Sequence, residues 1–393
     1  MIGDTWQSEI REFTDEKTGR TIRQLTTTGN NVHLYFTENS FDSVKNEIVF
    51  VSDRASDEDK RPEDSPRYNI FRMDLGTGVI TQLTDEPYSV GGVTKTPDSR
   101  LIVYTTGNQI KQLNAETGEI SDVYKETGNF SVGAPSISAN RRYIAFTRNE
   151  KVEAPRGPNY TGFKESFYRI KDGRVTLAYL DGSGAFDVYK DTHWLGHFQF
   201  CPDDSTLATF CHEGPWNLVT QRIWILDFVS REARPCYRQE EYDSIGHEFW
   251  TQDSDGCPSR IFFDDRGPGH DGTITSSRTQ AVATDISVNE NTLVPFIGLA
   301  DRYGNVVRRV DMPFYCNHYH ANPDNTILVG DDVDDLVLID ISGDEAKLSI
   351  LCHHQTSWHT QSSHCHPTWS WDGTRILYAS DHGGKVNIYL VEP

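Results

Sequence analysis

Apolar and polar residues alternate in short runs along the whole chain, and no long amphipathic helical pattern interrupts them. Runs rich in β-branched and aromatic residues, such as 48–51, 101–104 and 375–378, are separated by turns that contain Asp, Asn, Gly or Pro. Short runs bounded by such turn residues are typical of β-strands. The pattern therefore predicts an all-β fold.

One turn recurs at a fixed place in a repeated four-strand unit, between the first strand and an apolar second strand. It combines Asp or Asn with a small residue and falls at seven places: near Asp42 and at residues 96–99, 138–140, 201–204, 253–255, 322–325 and 370–373. Seven four-stranded units predict a seven-bladed β-propeller, with residues 1–393 forming a single domain. The spacing between turns drifts from about 40 to about 70 residues, so the blades carry loops of unequal length. Such loops are where a site is built.

The last unit is one strand short, because the chain ends just after the run 386–390. Residues 20–26 resemble residues 79–84, the outer strand of the first blade. We therefore expect the N-terminal strand, within residues 1–28, to complete the last blade, formed by about residues 360–393, and so close the ring. The polar inserts 55–67 and 266–278 are expected to be surface loops.

The charge balance limits the classes of partner. Acidic residues outnumber basic ones by 58 to 37, and the net charge of -21 argues against nucleic acid and anionic membranes as partners. An anionic ligand would need a local cationic pocket. The N-terminus lacks a signal-peptide pattern, no segment is long enough to span a bilayer, and the seven dispersed cysteines form no C-x-x-C pair. We expect a cytoplasmic protein with reduced thiols; the oligomeric state is left open.

Histidines occur in register with the repeated turn. Counting back six residues from the turn aspartate of four consecutive units gives His197, His247, His318 and His366. Inner strands of a propeller line its channel, and regular alternation would put these side chains on one face. A shared divalent cation would hold such imidazoles together. The alternative is that they are inherited repeat positions with a structural role.

The stretch Gln361 to His366 places an amide oxygen and two imidazoles within six residues. If it is a strand, His364 and His366 point the same way and Cys365 points away. Nitrogen and oxygen ligands suit a divalent transition ion and leave manganese, iron, zinc and nickel open. A polar turn followed by two half-exposed histidines is the alternative interpretation.

Other candidates are weaker by themselves. Arg222 begins an apolar strand, where a buried arginine needs either a carboxylate partner or an anionic ligand. His212 lies in a compact polar turn at residues 211–216, which favours a structural role. No serine-hydrolase elbow, Walker loop or dinucleotide fingerprint occurs, whereas the dispersed carboxylates leave a glycosidase mechanism open.

Four runs together carry a family resemblance: WLGH at 194–197, DSTLATFCHEGP at 204–215, HEFW at 247–250 and QSSHCHP at 361–367. With them, the chain resembles the oligogalacturonate lyases of polysaccharide lyase family 22, densely from about Trp194 onwards and less before it. Members of that family are seven-bladed propellers of the bacterial cytoplasm. They cleave short galacturonides by β-elimination, usually with manganese.

The resemblance implies roles for individual residues. His318, Gln361, His364 and His366 match the metal ligands, and His247 matches the proposed Brønsted base. Arg222 matches an arginine near the substrate, so we expect it to act in catalysis with His247 and to bind substrate together with His197 and His212. Two departures stand out: Cys365 replaces a proline, and His320 replaces an apolar residue.

The implied chemistry suits these residue types. β-Elimination removes the proton on C5 of the uronide and expels the oxygen on C4, and a metal on the C6 carboxylate stabilises the developing charge. A neutral imidazole can take the proton, and an arginine can pair with a carboxylate of the anionic oligosaccharide. Two alternatives stay open: a lyase for another uronic-acid oligosaccharide, and a non-catalytic TolB-like propeller that binds a partner.

Overall fold

A computed structural model describes residues 1–56, 59–157, 159–251, 258–267, 270–274 and 294–393. Within them, antiparallel strands form seven sheets arranged as the blades of a propeller ring. The predicted all-β, seven-bladed fold is confirmed. The predicted turn at 253–255 lies outside the described residues, as does the end of the insert 266–278.

Strands are numbered β1 to β30 in chain order, and each blade is given from its innermost strand outwards. The first three blades are β4 (Asn31–His33), β5 (Glu47–Ser52), β6 (Asn69–Asp74), β7 (Ile80–Gln82) and β1 (Thr5–Trp6); β8 (Val90–Lys95), β9 (Leu101–Thr106), β10 (Gln109–Asn114) and β11 (Ile120–Lys125); and β12 (Phe130–Ile137), β13 (Tyr143–Glu150), β14 (Gly173–Tyr179) and β15 (Ala185–Asp191). The next two are β16 (Leu195–Cys201), β17 (Asp204–His212), β18 (Ile223–Asp227) and β19 (Glu232–Pro235); and β20 (Ile245–Trp250), β21 (Ile261–Asp265), β22 (Phe296–Ala300) and β23 (Val306–Asp311). The last two are β24 (Tyr319–Ala321), β25 (Ile327–Asp331), β26 (Asp335–Asp340) and β27 (Lys347–His353); and β28 (Thr368–Trp369), β29 (Ile376–Ser380), β30 (Asn387–Val391), β3 (Thr21–Gln24) and β2 (Arg11–Thr14).

The N-terminal segment closes the ring. Strand β3 pairs antiparallel with β30, with Ile22 opposite Val391, and β2 adds a further strand outside it. This confirms that an N-terminal strand completes the last blade. The first strand, β1, instead pairs with β7 of blade 1, which the sequence did not indicate.

Apolar faces of neighbouring blades pack against each other. Ile22, Trp369 and Tyr378 of blade 7 share one buried cluster with Leu336 and Leu351 of blade 6. Burying one large apolar side chain stabilises a fold by about 1.5–3 kcal/mol. The six described cysteines are buried free thiols.

The inner strands are not regular, which corrects the argument from strict alternation. The pairing register shifts within β8, β16 and β20, which indicates a β-bulge in each. Gly92, His197 and His247 lie at these bulges with φ of +49°, +48° and +47°, and His366 has φ of +44° just before β28. The histidines therefore reach the channel through a repeated left-handed kink and not through the parity of a flat strand.

The stretch 361–366 is likewise not the strand that its alternation predicted. Gln361–Ser363 form a 3₁₀ helix, and His364 follows in an extended conformation with φ of -69° and ψ of 140°. The other 3₁₀ helices in the described ranges are Pro62–Asp64 and Trp216–Leu218. A tight turn followed by one left-handed residue allows both imidazoles to face the same point.

Two segments leave the blades and reach the channel. After β4, residues 34–38 turn inwards and bury Phe36 completely. The long connection between β13 and β14 carries helix α1 (Phe163–Arg169), and Asn159 there donates hydrogen bonds to the carbonyls of Trp358 and His359. The connection thus links blade 3 to the loop before blade 7's first strand.

The insert 266–278 was predicted to be a surface loop, and its described part is only partly exposed: Asp271 is exposed, but Arg266 and Gly272 are buried. The Arg266 side chain is fully buried, and Ile274 packs against the cluster between blades 6 and 7. No helix in the described ranges has both the length and the apolar character needed to cross a bilayer. A cytoplasmic location stays a prediction.

Candidate active site

Three histidines converge at the channel. His318, His364 and His366 are buried, and one ligand nitrogen from each lies within 4.8 Å of the others. Within the described residues, the Nε2 atoms of His364 and His366 are buried without a hydrogen-bond partner. A buried polar atom without a partner is costly, so this group of nitrogens fits a bound cation.

A carboxylate orients the first of these imidazoles. Asp331 accepts a hydrogen bond from the backbone N–H of His318, and its other carboxyl oxygen lies 2.8 Å from His318 Nδ1. With Nδ1 engaged by Asp331, Nε2 is the nitrogen of His318 that faces away from this contact and can bind a metal. A carboxylate behind a ligating histidine is the usual arrangement at protein metal sites.

The protonation state of the group also suits a metal. Burial is the main cause that lowers the pKa of His318, His364 and His366 well below the ordinary value, and neighbouring cationic groups add to it. Neutral imidazoles offer the lone pairs that metal binding requires.

The other candidate residues near the three-histidine group, Gln361, Cys365 and His320, have different surroundings. Gln361 is exposed and lines the same cavity as His366, and its predicted role as a metal ligand stays a prediction. Cys365 is buried in the apolar cluster between blades 6 and 7 and lies outside the group, as predicted. The remaining imidazole, His320, accepts the Trp369 N–H at its Nδ1 and stacks on Phe249.

His247 lies beside the three-histidine group. Its ring centroid is 4.8 Å from that of His318, and the edge of its ring meets Trp216 at 4.9 Å. Burial first, and then the charge of Arg266, lower the pKa of His247 well below the ordinary value. His247 is therefore a neutral imidazole next to the candidate metal centre.

Two residues that the sequence did not single out contact His247. Its Nδ1 lies 3.4 Å from Asp264 Oδ1 and accepts a hydrogen bond from Arg266 Nη2 at 3.4 Å. Arg266 is held between the rings of Trp216 and Tyr315 at 4.7 and 4.9 Å. In the sequence, Arg266 directly follows an apolar strand, which is a reason to expect a buried arginine. The polar insert that begins at Arg266 made an exposed position the more obvious prediction.

Arg222 and His197 meet at one carboxylate. Arg222 is 2% exposed, and its Nη2 lies 3.1 Å from Glu213 Oε1. His197 Nε2 lies 3.4 Å from the other oxygen of Glu213. Of the two readings of Arg222, the structure shows the ion pair, and it shows the guanidinium close to a second predicted substrate residue.

His212 is not brought into this arrangement. Its ring stacks on His193 at 4.1 Å, and its Nε2 lies 3.1 Å from Asp191. The neighbouring Cys211 is the residue of this strand that approaches Glu213. His212 therefore faces the opposite side of β17, and its predicted substrate contact stays a prediction.

A cavity of about 460 Å³ opens beside these groups. Its lining includes Tyr35, His197, Gln361 and His366, contributed by blades 1, 4 and 7. Ligand-binding clefts typically have volumes of about 300–1,000 Å³. The cavity is thus of a size for a small ligand held at the histidine group.

Fold and site together define the class: a seven-bladed β-propeller with a buried group of three histidines at its channel that could hold a metal ion. Residues 5–263, more than half of the chain, match the family model described as oligogalacturonate lyase. The chain belongs to the oligogalacturonate lyase family, and it is a lyase by that membership. The matched range contains His197, Arg222 and His247, and the three-histidine group lies beyond it.

Similar proteins agree with this assignment. An oligogalacturonide lyase of Pectobacterium atrosepticum and an oligogalacturonate lyase of Dickeya dadantii are each 25% identical over 349 residues, which cover 83% of this chain and 83% of theirs. Among solved structures, an oligogalacturonate lyase in complex with manganese has a TM-score of 0.82 at 23% identity, covering 100% of this chain and 98% of that one. An oligogalacturonate lyase of Vibrio parahaemolyticus has a TM-score of 0.81 at 21% identity over the same shares.

Proposed function

We propose that this protein cleaves short, unsaturated oligogalacturonides by β-elimination, with a divalent ion, manganese, held by His318, Gln361, His364 and His366. The observation that carries the proposal is the convergence of three neutral imidazoles, two with unpartnered buried nitrogens, beside a fourth neutral imidazole. The names of the Pectobacterium and Dickeya relatives support the substrate class, and the manganese complex supports the ion.

The metal ligands define where the reacting sugar is held. A cation bound there would supply Lewis-acid stabilisation of negative charge on a substrate carboxylate. Asp331 fixes the orientation of His318, and the 3₁₀ turn at Gln361–Ser363 precedes the two other imidazoles. These contacts hold the ligands in place before any substrate arrives.

His247 is the residue that removes the C5 proton. Its low pKa keeps the imidazole unprotonated near neutral pH, so a lone pair is available. His247 Nδ1 lies 3.4 Å from both Asp264 Oδ1 and Arg266 Nη2, and these two neighbours fix the orientation of the ring. Asp264 and the packed Arg266 thus act as positioning residues for the base.

Arg222 and His197 bind the anionic substrate. A protein with a net charge of -21 needs local cations to attract a polyanion, and Arg222 is a cation buried near the cavity. Its partner Glu213 holds the guanidinium in place, and a uronide carboxylate can pair with its remaining N–H groups.

The first experiment measures activity directly. Purified protein with manganese and di- or trigalacturonate should release product that absorbs through a new C4=C5 double bond, and a chelator should abolish the signal. If no unsaturated product forms from either galacturonide, the substrate assignment is wrong. Product from other uronic-acid oligosaccharides alone would instead favour a lyase of different specificity.

A variant of the base separates catalysis from metal binding. His247→Ala should lower kcat by about 10²–10⁴-fold, because the general base is lost, with manganese content unchanged. His382→Ala is the control, since His382 is exposed and belongs to none of the candidate metal-ligating groups among the described residues. Full activity of His247→Ala would contradict its role as the base.

A further inference from the structure

The rings of four residues surround the buried side chain of Phe36 in the candidate site. The ring centroids of His247, His318, His366 and Tyr35 lie 6.0, 5.7, 6.2 and 4.5 Å from that of Phe36. Phe36 and Tyr35 belong to the segment that turns into the channel after β4. Blade 1 therefore contributes a side chain to a site otherwise built by later blades.

The rings follow one another in a definite order. His247 is 4.8 Å from His318, His318 is 4.2 Å from His366, and His366 is 4.8 Å from Tyr35, all between ring centroids. His247 and Tyr35 thus stand at the two ends of the row, with two metal-binding imidazoles between them. A sugar held at those imidazoles would therefore have His247 on one side and the Tyr35 hydroxyl on the other.

The Tyr35 hydroxyl is available to a ligand. Tyr35 is 37% exposed, lines the cavity, and its hydroxyl has no hydrogen-bond partner among the described residues. His197 is the other donor on this flank, 5.9 Å from Tyr35 by ring centroids, and it faces Glu213. Tyr68 also lines the cavity with a hydroxyl that has no hydrogen-bond partner among the described residues, but Tyr35 is the phenol whose ring contacts His366. The Tyr35 phenol is therefore an uncommitted proton donor on the flank opposite His247.

Elimination from a galacturonide needs a donor in that position. In the galacturonate chair the C5–H and C4–O bonds are both axial and point to opposite faces of the ring. A base on one face removes the C5 proton, and the expelled oxygen leaves from the other face, where it needs a proton. Base and acid therefore have to approach from opposite sides of the sugar.

We propose that Tyr35 is the general acid that protonates the departing O4, an inference that rests on the proposed lyase function. The C5–H bond breaks and its proton goes to the His247 imidazole, the electron pair of that bond forms the C4=C5 double bond, and the C4–O4 bond breaks. The departing oxygen takes the phenol proton of Tyr35. Exchange with solvent then returns a proton to Tyr35 and removes one from His247.

Leaving-group dependence tests this role in the intact, manganese-loaded enzyme. Tyr35→Phe removes one oxygen and keeps the ring. On digalacturonate, whose leaving group is a sugar alkoxide, kcat should fall by about 10²–10⁴-fold. On a methyl galacturonide that carries 4-nitrophenol on O4, which leaves without protonation, the loss should stay under about tenfold.

The outcomes distinguish the two proposals. Equal losses on both substrates, or an unchanged rate on digalacturonate, would overturn the assignment of Tyr35 while the wild-type activity stands. A wild-type enzyme without activity on galacturonides would overturn both. Tyr179→Phe is the matched control, because Tyr179 is also 37% exposed but lies on β14 outside the cavity, and it should keep the wild-type rate on both substrates.

Discussion

At the scale of single residues, the site combines strained backbone with oriented side chains. His197, His247 and His366 all have φ between +44° and +48°. A non-glycine residue in the left-handed region costs about 1–3 kcal/mol and persists only where its surroundings hold it. Three such residues at the channel indicate that packing around them offsets this backbone strain, and that the strained conformation directs their imidazoles towards the channel.

The contact between Asp331 and His318 is expected to raise the affinity of the site for manganese. Its two oxygens accept from two donors of His318, and an asparagine offers only one acceptor oxygen. Asp331→Asn should therefore weaken manganese binding by about 10–100-fold, as measured by calorimetric titration. Asp340→Asn is the control, because the Asp340 carboxylate accepts hydrogen bonds from Ser342 and lies outside the histidine group. An unchanged dissociation constant would show that His318 needs no such orientation.

At the scale of the structural element, the repeated bulge explains why glycine occupies the same position in blade 2. Gly92 has φ of +49°, and a Cβ there would lie 2.9 Å from the Cα of Ala134. Gly92→Ala should lower the free energy of unfolding by about 1–3 kcal/mol through strain and this clash. Urea denaturation measures the change.

Gly182 provides the matched control, because it has φ of +74° and open space around it. Gly182→Ala carries the conformational strain without the clash, so its loss of stability should be the smaller one. Equal losses in the two variants would show that the approach of blades 2 and 3 at Ala134 costs nothing.

The same element shows what the sequence could predict. The fixed offset from the turn aspartate identified His197, His247, His318 and His366, because a repeat preserves position whatever the local backbone does. The bulges themselves were invisible, since a left-handed histidine has no sequence signature. Arg266 and Asp264 were missed because burial depends on how the connection after β21 folds back, which local polarity does not report.

At the scale of the whole molecule, charge is distributed unevenly. The chain carries a net charge of -21, yet Arg222 and Arg266 are both 2% exposed beside the candidate site. Low-dielectric surroundings strengthen the attraction between such buried cations and an anionic ligand. An acidic protein can in this way keep a general repulsion of polyanions and still bind a short one at its channel.

Closure of the ring is the property that involves the whole chain, because β3 comes from the first residues and β30 from the last. Ile22 on β3 is fully buried in the cluster between blades 6 and 7, so Ile22→Ala should cost about 2–5 kcal/mol of unfolding free energy. Phe13→Ala on β2 is the control, since Phe13 is 41% exposed and should change stability by only about 0.5 kcal/mol. Denaturant unfolding measures both variants. If Ile22→Ala is as stable as Phe13→Ala, the N-terminal strand does not hold the last blade in place.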